Sequence, residues 1–242
     1  MPVDADQDAL KNLLEVQAED SEIQRLTQRR AALPEAARLA EVNSQLEELD
    51  ADLEIARKQL EKITREQNRL EGEIELLTQK TGREEGRLFS GAVSNPKELS
   101  ALQEEVASLK RRSGSLEDEL LEVMVHRDSS NETIQSLEAE RSSAAQTAEE
   151  LAAQVTEVTS EIETSLAQHS ARREEVAAAV SADLLKLYEG LRDSKQGIGA
   201  AALVGDTCQG CHTALPSREV ERLRAEKGLQ RCDNCRRILV VA

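Results

Sequence analysis

LAEVNSQLEELDADLEIARKQLEKITREQNRLEGEIELL, residues 39–77, decides the fold. Stepping alternately by three and four gives Leu39, Val42, Leu46, Leu49, Leu53, Ala56, Leu60, Ile63, Gln67, Leu70, Ile74 and Leu77. Only Gln67 is polar. An alternating three-four spacing keeps one narrow apolar stripe in line along a helix, which is the seam of a coiled coil.

A second stripe follows at Leu99, Leu102, Val106, Leu109, Ser113, Leu116, Leu120, Val123, Arg127, Ser130, Ile134 and Leu137. Ala144, Ala148, Leu151, Val155, Val158 and Ile162 continue it in phase. The phase then slips by one residue to Leu166 and resumes at Val176, Val180, Leu184, Leu187 and Leu191. Such a slip locally alters the supercoil. The polar slots Gln67, Ser113, Arg127 and Ser130 fix register or loosen the coil, or leave a gapped seam that a partner helix can enter.

Between the stripes lies TGREEGRLFSGAVSNPKEL (81–99), punctuated by Gly82, Gly86, Gly91 and Pro96. Asn95 suits a helix cap, Pro96 the first helical position, and Glu98 lies three residues after the cap. Two seams around a breaker-rich tip at about 81–96 predict an antiparallel hairpin with arms roughly 60 Å long. Unbroken to Leu191, the second helix would span roughly 140 Å. A domain-swapped dimer would use the same contacts. N-terminal to the first stripe, Leu10, Leu13, Leu14, Ile23, Leu26 and Leu33 precede Pro34. Proline inside a helical pattern breaks it, so a break is expected near residue 34, with 5–32 folding back on 145–180.

Composition fits this mainly helical reading. The 242 residues include no Trp, one Tyr (Tyr188) and one Phe (Phe89), and 32% are charged. A large aromatic core is absent from such a chain. No apolar run approaches the ~18 residues of a membrane span, and MPVDADQDAL lacks the features of a secretory signal. A cytoplasmic protein without a membrane partner is expected.

The four cysteines lie in Cys208-x2-Cys211 and Cys232-x2-Cys235. In a reducing compartment this pattern points to metal before disulfides. Two such turns present four thiolates tetrahedrally to one zinc, and four sulfurs leave no position for water, so the ion is structural. AALV before the first turn and ILVV after the second read as strands. Pro216-Ser217-Arg218-Glu219 opens a short helix between them. The expected architecture is a helical coiled-coil hairpin over 1–196 followed by a small zinc ribbon over 197–242. His212 is expected to be a bystander, and His126 and His169 lack clustered metal-ligand partners in the sequence.

Coil and ribbon together resemble a bacterial family of C4-type zinc ribbon proteins with an N-terminal coiled-coil hairpin. The resemblance rests on the tip SGAVSNPKELSALQ (90–103), the approach LLKLYEGLR (184–192) and the ribbon end CDNCRRIL (232–239). It implies zinc on Cys208, Cys211, Cys232 and Cys235, and roles in nucleic-acid binding or in chaperone-like and adapter work. Family members often carry Gly after the last Cys, where this chain has Arg236. Arginine there is expected to strain or slightly reshape the turn.

Two readings of function follow. In the first, the ribbon binds nucleic acid. Residues 200–242 hold seven basic and five acidic side chains, a net +2, which leaves −18 of the total −16 on residues 1–199. Arg218, Arg222, Arg224, Lys227, Arg231, Arg236 and Arg237 would contact phosphates. Against it, a four-thiolate zinc site carries −2 of its own, and the ribbon has no aromatic on which to stack a base. In the second, the chain is a protein adapter or chaperone that docks partners through Phe89, Asn95, Pro96 and Lys97 at the tip, or through the gapped seam. The sequence shows no phosphate loop and no nucleophile-base pair, so neither an enzyme nor a small-molecule substrate is expected.

Overall fold

The computed structural model describes residues 6–226 and 228–241. Its helices are α1 (Gln7–Ala31), α2 (Pro34–Phe89), α3 (Pro96–Ala177), α4 (Ala182–Ser194) and α5 (Ser217–Ala225). Its strands are β1 (Ala200–Val204), β2 (Thr207–Cys208), β3 (Gln230–Arg231) and β4 (Ile238–Val241). The protein is a mainly helical, long coiled-coil hairpin followed by a small four-cysteine ribbon. No helix among the described residues is long and apolar enough to cross a membrane.

The chain forms two compact units, Leu39–Glu150 and the residues up to Arg38 together with those from Leu151 onward. In the first unit the seam is as the spacing predicts. Every slot from Leu39 to Leu77 and from Leu99 to Leu137 is buried or half-buried, with Leu49, Leu53, Leu70, Leu102, Val106, Leu116 and Ile134 closed off from solvent. Two polar slots face each other: Arg127 donates to Gln67 Oε1 at 3.1 Å. That bond gives the seam a register. Arg57–Glu138 at 2.7 Å and Glu85–Lys110 at 2.7 Å run antiparallel along the flanks. Each such exposed pair is worth at most about 1 kcal/mol, so the seam supplies the stability and the pairs help set alignment.

The tip is narrower than 81–96. Helix α2 passes through Gly82 and Gly86 and ends at Phe89, leaving only residues 90–95 as the turn. The seam spacing continues through Thr81, Glu84 and Leu88, all buried or half-buried. Both glycines face open space. Their propensity cost of about 1 kcal/mol each is offset by the packing of the next seam residues. Beyond the turn, Asn95 Oδ1 accepts from the Lys97 amide at 3.0 Å, and Pro96 opens α3.

In the second unit α1 is capped by Asp6, whose carboxylate accepts from Ala9 N at 2.7 Å. The break falls at residues 32–33, before Pro34 at the first position of α2. Leu26 and Leu33 pack on Ile162, and Arg30–Glu163, Glu19–His169 and Glu15–Arg172 pair α1 antiparallel with the end of α3. Helix α3 does not run on to Leu191. It ends at Ala177 in a tight turn closed by Ala179 N to Val176 O and Val180 N to Ala177 O, and α4 begins after Ser181. Ser181 followed by Asp183 is a helix-start signal that the apolar phase alone hides. The turn puts Val176, Ala177 and Val180 into one core with Leu184 and Tyr188.

The four strands order as β2-β1-β4-β3, with β1 and β4 parallel and the two outer pairs antiparallel. Ala200 of β1 and Ile238 and Val240 of β4 join the helical core of Leu10, Leu13, Val16, Leu184 and Tyr188. The expected boundary at 196/197 therefore falls inside one hydrophobic core.

Candidate metal centre

Each Cys-x2-Cys segment folds the same way. His212 N donates to Cys208 O at 2.8 Å, and Arg236 N donates to Cys232 O at 2.8 Å. The residue after each second cysteine is left-handed, His212 at φ 54° and Arg236 at φ 65°. Arg236 thus takes up the conformation that glycine adopts freely, and the turn keeps its shape at the cost of local backbone strain. Gly210 has a different reason. A Cβ there would meet Ala201 Cβ and Arg237 Cδ at 2.9 Å each, so the first turn lies flat against β1 and the start of β4.

The four sulfurs all lie within 4.8 Å of one another, with Cys208–Cys235 and Cys211–Cys232 at 4.0 Å. A tetrahedral zinc with Zn–S bonds near 2.3 Å needs sulfur–sulfur edges of about 3.8 Å, so the cluster fits one zinc ion. Four protein ligands fill its coordination sphere, which makes the site structural.

The thiols differ in how readily they ionise. Burial pushes the Cys208 thiol up to about 12 and raises Cys232 as well. The backbone amides of Gly210 and Cys211 beside Cys208, and of Asn234 and Cys235 beside Cys232, act the other way without outweighing burial. Cys211 and Cys235 are the half-buried thiols; at Cys211 the balance tips the other way. Burial opposes its ionisation, but hydrogen bonds from Asn234 (3.6 Å) and Thr213 outweigh this and bring it down to about 6. Metal binding requires thiolates, so burial at Cys208 and Cys232 opposes loading while the bonds to Cys211 favour it. His212 is exposed and outside the sulfur cluster.

The basic residues of the ribbon differ in what they engage. Arg237 is structural: its Nε donates to Ile198 O at 2.8 Å and its Nη2 to Lys195 O at 3.0 Å. Arg224 donates to Gly205 O at 2.9 Å. Arg222 pairs with Glu226 at 3.1 Å and lies 3.6 Å from Asp233, which Arg236 approaches at 3.8 Å. Arg218 is exposed on α5 and Arg231 half-buried on β3. Lys227 lies outside the described residues. At the tip, Phe89 is 81% exposed, and Asn95, Pro96 and Lys97 are exposed beside it.

A buried polar cluster escaped the sequence reading. Asp20 of α1 accepts from Tyr188 Oη at 2.8 Å, Arg173 Nε at 3.0 Å and Arg192 Nη1 at 2.8 Å. Beside it, Gln17 Oε1 accepts from Gly199 N at 2.7 Å and Ala200 N at 3.3 Å, and Gln17 Nε2 donates to Gly197 O at 2.9 Å. His169 Nδ1 lies 2.6 Å from Glu19. The available signal was positional. His169 and Arg173 follow Leu166 at three-four spacing, so they fill slots of the slipped seam and must face something polar.

Residues 16–196 match the CT398-like coiled coil hairpin domain, and residues 207–239 match the C4-type zinc ribbon domain. Neither is a catalytic domain. No curated protein matches the chain. Among solved structures, a Mycobacterium smegmatis protein is 29% identical over 98% of this chain and 100% of its own, with a TM-score of 0.72. CT398 from Chlamydia trachomatis shares the fold at 23% identity and TM-score 0.65, over 97% of this chain and 98% of its own. With the hairpin, the four-sulfur cluster and the matched residues in agreement, the chain belongs to the CT398-like coiled-coil hairpin family and carries that hairpin together with a C4-type zinc ribbon.

Proposed function

We propose that the protein is a non-enzymatic adapter that docks a protein partner at the hairpin tip, with the zinc ribbon serving as a structural base. The observation that carries this reading is Phe89, the only phenylalanine of the chain, 81% exposed at the turn. An exposed large apolar side chain is normal when isolated. Here it stands beside exposed Ala92 and half-buried Val93 on a turn whose exit is held by the Asn95 cap. Residues 81–98 balance three basic side chains (Arg83, Arg87, Lys97) against three acidic ones (Glu84, Glu85, Glu98). A neutral, apolar tip in a strongly acidic chain suits a protein surface better than a polyanion. Arg237 and Arg224 donate to backbone carbonyls and Arg222 pairs with Glu226, which leaves fewer cations free for phosphates.

Exposed Arg218 keeps nucleic acid as the competing reading, and one pair of experiments separates the two. A photo-crosslinking side chain at Phe89 should give discrete protein adducts in cells, lost when Asn95→Ala and Lys97→Glu are added. The intact zinc-loaded protein should show no tight RNA or DNA binding at about 150 mM salt. Tight binding with a steep salt slope that Arg218→Ala and Arg231→Ala abolish would overturn the adapter reading, because each phosphate contact adds nearly one unit to that slope.

A further inference from the structure

The parallel pair β1–β4 is buried on both faces, and the faces alternate residue by residue. Ala200, Ile238 and Val240 pack on the helical core with Leu13, Val16, Leu184 and Tyr188. Ala201, Leu203 and Leu239 pack on the second core, which contains Cys208 and Cys232. Only two strands separate the metal ligands from the helices. Close-packed interiors transmit strain, so a change of shape in either core is felt by the other.

The hydrogen bonds follow the same route. Cys232 N donates to Arg237 O at 3.0 Å, and the Arg237 guanidinium ties the second turn to Lys195 O and Ile198 O just beyond α4. Ile238 N donates to Gly199 O at 3.0 Å. The Gly199 and Ala200 amides in turn are held by Gln17 of α1. Gly199 has no room for a side chain, since a Cβ would meet Tyr188 O at 2.6 Å. The N-terminal half of α1 rests on this assembly through Leu10, Leu13, Val16 and Gln17. Residues 15–20 also touch the end of α3, through Glu15–Arg172, Glu19–His169 and Asp20–Arg173, and the C-terminal end of α1 rests on α3 alone, where Leu26 and Leu33 meet Ile162.

We propose that zinc occupancy and the docking of the N-terminal half of α1 are one cooperative event. The loaded site holds β1–β4 in the shape on which α1 packs, and metal loss releases residues 7–20 from α4 and the sheet. Metal binding is folding free energy when the site is not preformed. The coupling is reciprocal, so a weakened α1 dock must also lower zinc affinity.

The test uses the full chain under reducing conditions, zinc-loaded and chelator-stripped, followed by hydrogen exchange. Amides of 7–20 are expected to lose protection on stripping, those of 45–80 and 102–137 to keep it, and added zinc to restore the first set. Unchanged protection of 7–20 in the stripped protein would overturn the proposal. So would an equal loss throughout 45–80 and 102–137, which is general unfolding. In competition with a chromogenic chelator, Leu13→Ala should weaken zinc binding by about fivefold or more, the lower end of typical coupling. Leu49→Ala in the hairpin should leave it unchanged. Equal affinities for the two variants would also overturn the proposal.

Discussion

Residues 39–150 bury one line of side chains between two helices, and each seam residue meets only its few neighbours across the line. The other unit gathers α1, the end of α3, α4 and the ribbon around two linked cores, where Leu13, Val16, Leu184, Tyr188, Ile238, Cys208 and Cys232 are each wholly enclosed. The hairpin accepts Gln67 and Arg127 in its seam because both lie at the margin of water. The zinc-bearing unit buries Asp20 and must satisfy it with two arginines and a tyrosine. A seam spreads its stability thinly over many residues, whereas a closed core concentrates it in a few.

Paired truncations test that contrast most strongly. Leu13→Ala should cost about 4 kcal/mol and Leu49→Ala about 2 kcal/mol, because the enclosed site collapses less readily around a cavity than a two-helix seam does. Denaturant unfolding of both variants measures the difference, and equal costs would erase the distinction. Next in size is Asp20→Ala, which leaves Arg173 and Arg192 partly buried without their shared carboxylate. It should cost about 3 kcal/mol by the same measurement, as breaking a buried pair does.

Tyr188→Phe should cost about 1 kcal/mol, the net worth of one hydrogen bond. It also has a pH signature. Burial, with the Asp20 contact second, raises the Tyr188 hydroxyl well above its ordinary value. Unfolded tyrosine ionises near pH 10. Tyr188 therefore contributes its full stability below pH 10 and loses it above, as the unfolded chain ionises while the folded protein does not. Denaturant midpoints from pH 8 to 11 should show an alkaline decline in the native protein that is shallower in the variant. The smallest effect has the opposite sign. Gly82 is helical and faces open space, so Gly82→Ala should stabilise the hairpin by about 0.5–1 kcal/mol in thermal melts.

The hairpin was legible from Leu39 onward because a coiled coil writes its contacts into local spacing. Pro34 and Asn95-Pro96 marked two helix boundaries by the same local chemistry. The four metal ligands were legible because chelation requires close sequence pairs. The tip was overdrawn because glycine signals were weighed without Thr81, Glu84 and Leu88, which prolong the seam past them. The joint between ribbon and helices is harder to read, because it is written in residues far apart. Gln17 meets Gly199 and Asp20 meets Tyr188 across more than 160 positions. Such contacts leave no periodic trace. The lone tyrosine of LLKLYEGLR was visible, but nothing local named its partner. Nor could spacing show that Arg237 faces inward to Lys195 and Ile198 while Arg218 remains exposed.

The most direct measurement uses the fact that Tyr188 is the only tyrosine in a chain without tryptophan. Its fluorescence, and the access of acrylamide to it, report on the helical core alone. Zinc titrated into the reduced, metal-free protein should shield Tyr188 from acrylamide with an end point at one equivalent. A Tyr188 signal indifferent to zinc, in a protein that nevertheless binds one equivalent, would contradict the account, because ribbon and helical base would then fold independently.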